Sequence, residues 1–478
     1  MKLTGDDYFD SEEFHGILKE YEDAVNSGQP VFMDADELAE IADYYQMTRR
    51  PDEADKAINL ALSLSPGAVA PLTYKIHEAL FCGDIPLAKS YLDQIIDHDD
   101  PDYVYCKAEI LLAEDKEDEA DKYLRQQLRD MPPDEYQDYV VDIARIYSDN
   151  GHSEKALEWM ARAMPEDTPE FKEIMGRTFF GLEKYLEAEK IFTELIDSNP
   201  FSKRYWNALS QIQFMREDYA ASVESSGYAI AIDPDDPEAN LAKANGLYRL
   251  LNFKEAQTYY HRYNELVPDD EYALFNEGSC LLNLNRLEDA LVPFGRAAEI
   301  VPEDSPYFYD VFQELSLTLS DLGRYEEAME CLSNTDQMDC DHVQIKVLKG
   351  HLMMTNGKLD EAAGLFGQAL LESKNDPKAL LRIIISLYDN KLTEGAYDMF
   401  KQYFNLIPDD CNDGFAYMAL CCYDLKKYDE FITYLKLAVS RNPKECKMAL
   451  GDLFPEGMEP ADYLDYLNSQ SEQLDKTE

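Results

Sequence analysis

The chain of 478 residues is too long for one ordinary globular core, so we expect several domains or one repeat array. Its 96 Asp and Glu residues against 44 Lys and Arg give a net charge of −52, which disfavours nonspecific nucleic-acid binding and binding to anionic membrane surfaces. Hydrophobic residues make up 45% of the chain, which is enough apolar surface to fold.

Residues 1–34 contain one predicted helix, roughly Glu12 to Asn26, and no apolar segment typical of a secretory signal. We expect this helix to cover the outer face of the segment that follows. No run of 18 apolar residues occurs, which indicates that nothing spans a membrane. The nine cysteines include no C-x-x-C pair and mostly lie in apolar helical stretches, so we interpret them as reduced core thiols of a cytoplasmic protein.

From residue 35 to residue 445 the sequence repeats with a period of about 34 residues. The clearest marker is an alanine in helical context, at Ala54, Ala88, Ala120, Ala156, Ala188, Ala256, Ala290, Ala328, Ala362 and Ala396. Ser222 and Phe431 hold the remaining two steps. The residue twelve positions before each marker is Gly, Ala or Ser, except at Ile76 and Ile384. A proline often follows the marker by twelve positions, as Pro268 follows Ala256.

These spacings predict two amphipathic helices in each repeat, joined by a short polar turn. The small residue of the first helix and the marker of the second lie where the two backbones approach closely. The proline ends the second helix, because it cannot continue a helix and disfavours α conformation in the residue before it. Acids after the proline, as in Pro268-Asp269-Asp270, then cap the next helix.

This pattern resembles the tetratricopeptide repeat (TPR) family, as twelve tandem repeats. The repeats begin near Ala35, Val69, Pro101, Gln137, Pro169, Lys203, Pro237, Glu271, Tyr309, Val343, Pro377 and Asn412. Trp206 occupies the first-helix aromatic position that the family favours. The resemblance implies an all-α fold, a right-handed superhelical α-solenoid of helix-turn-helix repeats. Ile76, Ile384 and Phe431 replace small residues of the pattern, so we expect looser or shifted packing there.

The register widens once, to 38 residues between Ala290 and Ala328. The extra residues fall in segment 302–306, which holds two prolines and two acids, and residues 332–336 interrupt the following second helix. We predict a kink or sub-domain boundary around residues 302–340, or alternatively a tolerated loop insertion. The expected organisation is an N-terminal capping helix (1–34), repeats one to eight (35–308), repeats nine to twelve (309–445), and C-terminal capping helices with a tail (446–478).

No catalytic or metal-binding motif is evident. The seven histidines form no H-x-x-x-H or H-E-x-x-H pair, and no phosphate-binding G-x-x-x-x-G-K-[ST] motif occurs. Segment 97–100, Asp-His-Asp-Asp, lacks the glycine and the terminal glutamate of a calcium loop, and is more simply an acidic turn. We therefore expect no enzyme activity, no cofactor and no metal.

In TPR proteins the first helices line a concave groove that binds peptides or protein segments, and the resemblance implies the same here. At these positions repeats one to four and nine present acids, namely Asp36, Glu40, Asp43, Asp102, Glu109, Asp138, Asp142, Asp149, Asp310, Glu314 and Asp321. Repeats five to eight present what we call the amide-aromatic strip, consisting of Arg177, Phe180, Arg204, Asn207, Gln211, Phe214, Asn245, Tyr248, Arg249, Phe275, Asn276 and Ser279. Amides suit a peptide backbone, and arginine suits a carboxylate.

We interpret the chain as a non-enzymatic scaffold or adaptor that holds a peptide or protein segment against this strip. Two alternatives stay open: the strip residues pair locally with neighbouring acids, or the acidic surface itself binds a basic protein, as a chaperone or decoy would. The clamp with which some TPR proteins hold acidic C-termini of chaperones is not formed. Asn245 and Asn276 match two of its positions, but Leu241, Asp310 and Glu314 occupy others.

Overall fold

The computed structural model describes residues 6–9, 11–48, 50–128, 132, 135–408, 411–455 and 457–475. These residues form α-helices, a few 3-10 turns and short connections, and no strand occurs among them. The chain divides into two compact units, Met1–Ile232 and Asp233–Glu478. Within each unit successive helix pairs stack on one another, so the fold is an all-α solenoid. In the part of the chain described here, no helix combines the length and the apolarity needed to cross a membrane.

The first unit holds α1 (Asp6–Phe9), α2 (Glu12–Ser27), α3 (Ala35–Met47), α4 (Pro51–Leu64), α5 (Val69–Phe81), α6 (Ile85–Leu92), α7 (Pro101–Ala113), α8 (Glu117–Gln127), α9 (Tyr136–Asp149), α10 (Ser153–Met160), α11 (Pro169–Gly181), α12 (Tyr185–Ser198), α13 (Lys203–Met215) and α14 (Tyr219–Ile232).

The second unit holds α15 (Pro237–Arg249), α16 (Phe253–Leu266), α17 (Glu271–Asn283), α18 (Leu287–Ile300), α19 (Phe308–Asp321), α20 (Tyr325–Asn334), α21 (His342–Thr355), α22 (Leu359–Glu372), α23 (Pro377–Asp389), α24 (Thr393–Leu406), α25 (Phe415–Asp424), α26 (Tyr428–Arg441), α27 (Pro443–Leu450) and α28 (Tyr463–Asp475). The 3-10 turns are Thr335–Gln337, Gly451–Leu453 and Pro460–Asp462.

The helix pairs from α3–α4 to α25–α26 correspond to the predicted repeats. Most first helices begin at the predicted residue, and α9, α19 and α21 begin one residue earlier, at Tyr136, Phe308 and His342. The exception is α25, which begins at Phe415, whereas the repeat was expected to begin near Asn412. Each start is therefore encoded locally except the last.

The turn between repeats has the predicted chemistry. The Oδ1 atom of Asp270 accepts a hydrogen bond from the backbone N–H of Ala273 at 3.0 Å, so it caps α17. Asp236 caps α15 in the same way, through the N–H of Ala239. The carboxylate satisfies a donor that a helix N-terminus leaves without an intrahelical partner, and it suits the positive end of the helix dipole.

The small position of a first helix lies beside an aromatic ring of its own second helix. A Cβ atom built at Gly176 would be 2.8 Å from Cε2 of Phe192, closer than real Cβ contacts allow. In the sixth repeat, serine holds both the small position of the first helix and the marker position of the second. There Ser210 Oγ donates to the carbonyl oxygen of Ser222 at 2.9 Å, and both residues are fully buried. The predicted close approach of the two helices is confirmed.

Residues 302–340 depart from the regular repeat. α18 ends at Ile300, and α19 begins at Phe308 without a side-chain cap. Glu303 follows the proline of this turn but does not cap α19. Its carboxylate accepts a hydrogen bond from the backbone N–H of Asp339 at 2.8 Å. α20 ends at Asn334 and continues as a 3-10 turn. The interrupted second helix is present as predicted, while a hinge in this segment stays a prediction.

Both ends of the repeat array are covered by additional helices. In α2, Phe14 and Tyr21 are buried in one cluster with residues of α3 and α4. At the other end, Leu450 and Tyr463 are buried in a cluster with Leu435 of α26. Residues 476–478 of the predicted tail lie outside the described residues.

Candidate functional site

Two cavities of the first unit lie along the first helices α3, α5, α7, α9 and α11. One cavity of about 590 Å³ is lined by residues from α5 to α11, and another of about 350 Å³ by residues from α3 to α7. Thr73, His77 and Asp102 line both cavities. We call the combined lining the acidic groove. Its cavities fall in the size range of ligand sites.

Carboxylates dominate the lining of the acidic groove. They are Asp36, Glu40, Asp43, Asp100, Asp102, Glu109, Asp138, Asp142, Asp149, Glu166 and Glu170. The cationic groups in the described lining are Arg145 and His77. All the acids that the repeat register assigned to the first four repeats are therefore brought together. Those assigned to repeat nine lie in the second unit, where Asp310 lines a separate cavity of about 350 Å³ with His351 and Asp389.

The arginine of the acidic groove is already engaged. Arg145 forms an ion pair with Asp142 at 3.4 Å and another with Glu170. Asp142 also accepts a hydrogen bond from the hydroxyl of Tyr105 at 3.1 Å. Arg145 therefore serves two of the carboxylates, while Arg177 and His77 serve Asp149 and Glu109, so the negative charge of the groove is only partly compensated.

Desolvation and neighbouring negative charges raise the pKa of several acids of the groove. Desolvation raises the pKa of Asp43 to about 6, against a smaller opposing effect of His77. Desolvation by the surrounding groove also raises the pKa of Asp102 although the residue is still exposed to solvent, and the neighbouring Asp100 acts in the same direction. The pKa of Asp142 is raised by burial although Arg145 opposes the shift. These carboxylates would be stabilised by a cation that enters the groove.

A mixed group of side chains lies within the acidic groove, between α5 and α7. The Nε2 atom of His77 is 2.8 Å from Oε2 of Glu109, and the possible ligand atoms of His77, Cys106 and Glu109 all lie within 4.8 Å of one another. Hydrogen bonds with the Cys106 thiol, first, and with Glu109 raise the pKa of His77 to about 10. Cys106 is buried, and its thiol faces the Thr73 hydroxyl at 3.7 Å.

This group forms no sequence motif, because its members are not neighbours in the sequence. Cys106 was interpreted as a core thiol, and His77 belongs to no histidine pair. The available signal was the repeat itself. His77 and Glu109 are 32 residues apart, close to one repeat, so the stacking of α5 on α7 places them side by side.

In the first unit, the arginines of the amide-aromatic strip pair with acids. Arg177 donates to Asp149 at 3.1 Å and forms an ion pair with Glu173 at 3.0 Å. Arg204 forms an ion pair with the same Glu173, which is buried. Gln211 is exposed. The alternative of local pairing with neighbouring acids therefore describes both arginines.

In the second unit, the amides of the strip have internal partners. The Oδ1 atom of Asn245 accepts hydrogen bonds from the hydroxyls of Tyr260 at 2.6 Å and Tyr272 at 2.9 Å. Asn276 is buried and donates from Nδ2 to the backbone oxygen of Tyr272 at 2.8 Å. Asn245 thus links α15 to α16 and α17, whereas Asn276 is bonded within its own helix α17.

Three aromatic residues of the strip share one role in the helix pairs. Each contacts the large residue that opens the second helix five positions later, with ring centroids 5.8 Å apart for Phe180–Tyr185, 5.3 Å for Phe214–Tyr219 and 5.5 Å for Tyr248–Phe253. Phe275 lies 5.9 Å from the ring of Phe294. Asn207 is buried, and Arg249 is exposed. Ligand binding by the strip stays a prediction.

Comparison with known proteins gives similar repeats in several segments. One family model described as a tetratricopeptide repeat matches residues 175–237 and 241–305, and a second of the same description matches residues 309–334 and 418–445. No curated protein sequence matches the chain significantly. Among solved structures, YrrB, described as a TPR protein with an unusual peptide-binding site, is 19% identical, with a TM-score of 0.33 over 40% of this chain and 95% of its own. MamA from Desulfovibrio magneticus RS-1 is 15% identical, with a TM-score of 0.33 over 36% of this chain and 96% of its own.

Proposed function

We propose that this chain, which contains tetratricopeptide repeats, is a non-enzymatic interaction scaffold that holds a basic segment of a protein partner in the acidic groove of its first unit. The observation that carries this proposal is the concentration of carboxylates on the first helices from α3 to α11. The acidic surface, the alternative interpretation of the sequence, thereby becomes the favoured binding face.

Electrostatics favours a cationic occupant. Carboxylates that are crowded together and partly desolvated raise one another's energy, and an arriving Lys or Arg relieves both effects. The strip is a weaker candidate because two of its arginines, Arg177 and Arg204, already pair with Glu173. The groove therefore offers more uncompensated charge than the strip does.

Apolar side chains between the acids suit the stems of long basic residues. Val141, Ile146 and Phe171 line the larger cavity together with Tyr105. Lys and Arg pack their methylene stems on apolar surface, and their charged heads interact favourably with aromatic rings. The occupant that fits is an extended peptide in which Lys or Arg recurs, rather than a small cation alone.

The test is a fluorescence anisotropy titration of the full chain with a labelled peptide rich in Lys and Arg. A peptide of the same length with Glu at those positions serves as the comparison. The variant Asp102→Asn with Asp138→Asn removes two exposed acids of the groove. Exposed charge pairs each contribute up to about 1 kcal/mol, so we expect binding of the basic peptide to weaken roughly fivefold.

The matched control is Asp118→Asn with Glu119→Gln, which removes the same charge from exposed positions on α8 outside the groove. Binding to the control should stay within about twofold of the natural chain, because exposed charges farther apart than ~8 Å are largely screened at physiological salt. Equal weakening in both double variants would show that the protein attracts basic peptides only through its net charge. Equal binding of both peptides would contradict the proposal altogether.

A second candidate surface is the second unit's part of the strip, on α15 and α17. Arg249 is exposed there. Tyr248 and Phe275, which occupy other strip positions on the same two helices, are half-buried. An acidic peptide with apolar anchors would suit this surface. If it binds there, Arg249→Glu should abolish binding of the Glu-rich peptide and leave binding of the basic peptide unchanged.

A further inference from the structure

We propose that His77, Cys106 and Glu109 form a binding site for a divalent transition-metal ion of the zinc class. His77 lies on α5, while Cys106 and Glu109 lie three residues apart on α7, on the side of that helix that lines the cavity. Residues three apart on a helix share one face. The two helices contact each other directly, so the three side chains converge from a rigid support.

The distances suit a metal ion of this size. With zinc bonds of about 2.0–2.3 Å to nitrogen, oxygen and sulfur, two ligand atoms of a tetrahedral site lie roughly 3.3–3.8 Å apart. The atoms of this group lie within 4.8 Å of one another, and Nε2 of His77 and Oε2 of Glu109 are 2.8 Å apart. Small rotamer adjustments would bring all three to bonding distance, with the metal replacing the proton between His77 and Glu109.

The ligand types select for zinc over magnesium or calcium. A thiolate and an imidazole are ligands that zinc accepts readily, whereas magnesium and calcium require oxygen atoms. On binding, the Cys106 thiol and the protonated His77 imidazole each release one proton to solvent, so the ion is held by a thiolate and a neutral imidazole. The fourth position of a tetrahedral ion would face the cavity, where water can occupy it.

A neighbouring hydroxyl supports the sulfur ligand. The Cys106 thiol lies 3.7 Å from Oγ1 of Thr73, which also lines the cavity. In the metal-bound state this hydroxyl would donate to the thiolate and hold it in place. Outer contacts of this kind typically change metal affinity by about 10- to 100-fold.

The test is a titration of the full chain, reduced and stripped of metal, with Co²⁺ as a coloured substitute for zinc. Excess Mg²⁺ is present to occupy the acidic surface. Cobalt bound to a thiolate gives a sulfur-to-metal charge-transfer absorption that cobalt bound only to carboxylates cannot give. We expect this absorption to saturate at one equivalent of metal and to disappear on addition of Zn²⁺.

Variants assign the absorption to this site. Cys106→Ser should remove the charge-transfer absorption, and His77→Gln should weaken binding by more than about tenfold. Glu109→Gln keeps the side-chain shape and should weaken binding as well, which keeps the test informative if a cysteine variant misfolds. Circular dichroism of each variant verifies the helical fold.

The controls are other thiols of the chain. Cys82→Ser changes an exposed cysteine of the same unit, and Cys340→Ser changes the cysteine whose sulfur lies 3.8 Å from Nδ1 of His342. Both should keep the absorption. Its persistence in Cys106→Ser, its loss in Cys340→Ser, or cobalt binding without any thiolate absorption would each overturn the assignment. Since the probe is the metal alone, the result does not depend on whether basic peptides bind.

Discussion

The ring of Phe294 lies directly against Gly278. A Cβ atom built at residue 278 would be 2.5 Å from Cε1 and 2.7 Å from Cδ1 of that ring. Phe294 is fully buried, and it lies on α18, which packs on α17. A side chain at 278 can therefore be accommodated only if the ring or a helix moves.

The first prediction follows from this contact. Gly278→Ala should destabilise the second unit, because overpacking costs about 1–3 kcal/mol and opposes the ~1 kcal/mol that alanine gains over glycine in a helix. Gly295→Ala is the matched control, since a Cβ at that helical position meets nothing within 4 Å and should stabilise α18. Denaturant midpoints of both variants check the pair, and a stabilised Gly278→Ala would show that the helices have room to separate.

A second prediction concerns a buried carboxylate in the second unit. Glu277 accepts hydrogen bonds from Gln257 Nε2 at 3.0 Å, His261 Nδ1 at 2.9 Å and Asn264 Nδ2 at 2.8 Å, and only 6% of its surface is exposed. Glu277→Leu leaves those donors without their acceptor, at a cost of about 2–3 kcal/mol. Hydrogen exchange should accelerate in α16 and α17.

The control for this variant is Glu265→Gln, which breaks an exposed ion pair with Arg262 on the same helix pair. Its exchange rates should hardly change, because exposed pairs contribute little. Unchanged protection in Glu277→Leu would mean that water replaces the carboxylate without loss.

The third prediction is a pH dependence at Asp43. Its pKa in the folded protein, about 6, is above its ordinary value of 3.8, so the folded state binds more protons between these values than the unfolded state does. The contribution of this group to stability is therefore greatest at low pH and declines as the pH rises to about 6.

Asp43→Asn mimics the protonated form. The variant should melt at a higher temperature than the natural chain above about pH 6, and the difference should vanish below about pH 4. Asp118→Asn accounts for the general effect of removing one negative charge. A difference between Asp43→Asn and the natural chain that is constant with pH would contradict the raised pKa of this carboxylate.

The fourth prediction concerns the C-terminal cap. Deletion of residues 446–478 removes Leu450 and Tyr463 and should expose the apolar face of α26 around Leu435. Because repeat arrays are stabilised by neighbour contacts, the loss should be local, with lower solubility and increased binding of a hydrophobic dye. Met448→Ala changes a residue of α27 that is 72% exposed and should alter neither property. A deletion product as soluble as the full chain would show that these helices are not a cap.

Much of the fold follows from local signals, which explains why the repeat register predicted nearly every first-helix start. The start of α25 was not predicted correctly, and the reason is physical. The backbone N–H of Gly414, which has φ of 91°, donates to the carboxylate of Glu445 at 2.8 Å. That cap comes from α27, 31 residues later in the chain, and no residue near 412 records it.

The charges of the candidate binding surface could be predicted from the sequence, whereas the hydrogen-bond partners of its residues could not. Repeat register alone placed acids such as Asp102 and Asp142 on one face, because equivalent positions of stacked first helices line up. It could not show that Asn245 is held by Tyr260 and Tyr272, since those tyrosines are 15 and 27 residues away on other helices. The repeat register predicts which residues of neighbouring repeats lie side by side. It does not predict their hydrogen-bond partners, because these depend on side-chain rotamers.

The dependence of each hairpin on its neighbours also has a mechanical consequence. The main contacts of a helix are with the next one or two helices along the chain, as for α3 with α5 and α5 with α7. A pulling force applied to the two termini would therefore load the hairpins in series. We expect them to yield one after another, each releasing about 34 residues, or roughly 110 Å of extended chain. The tensile strength of such a chain is that of its weakest hairpin.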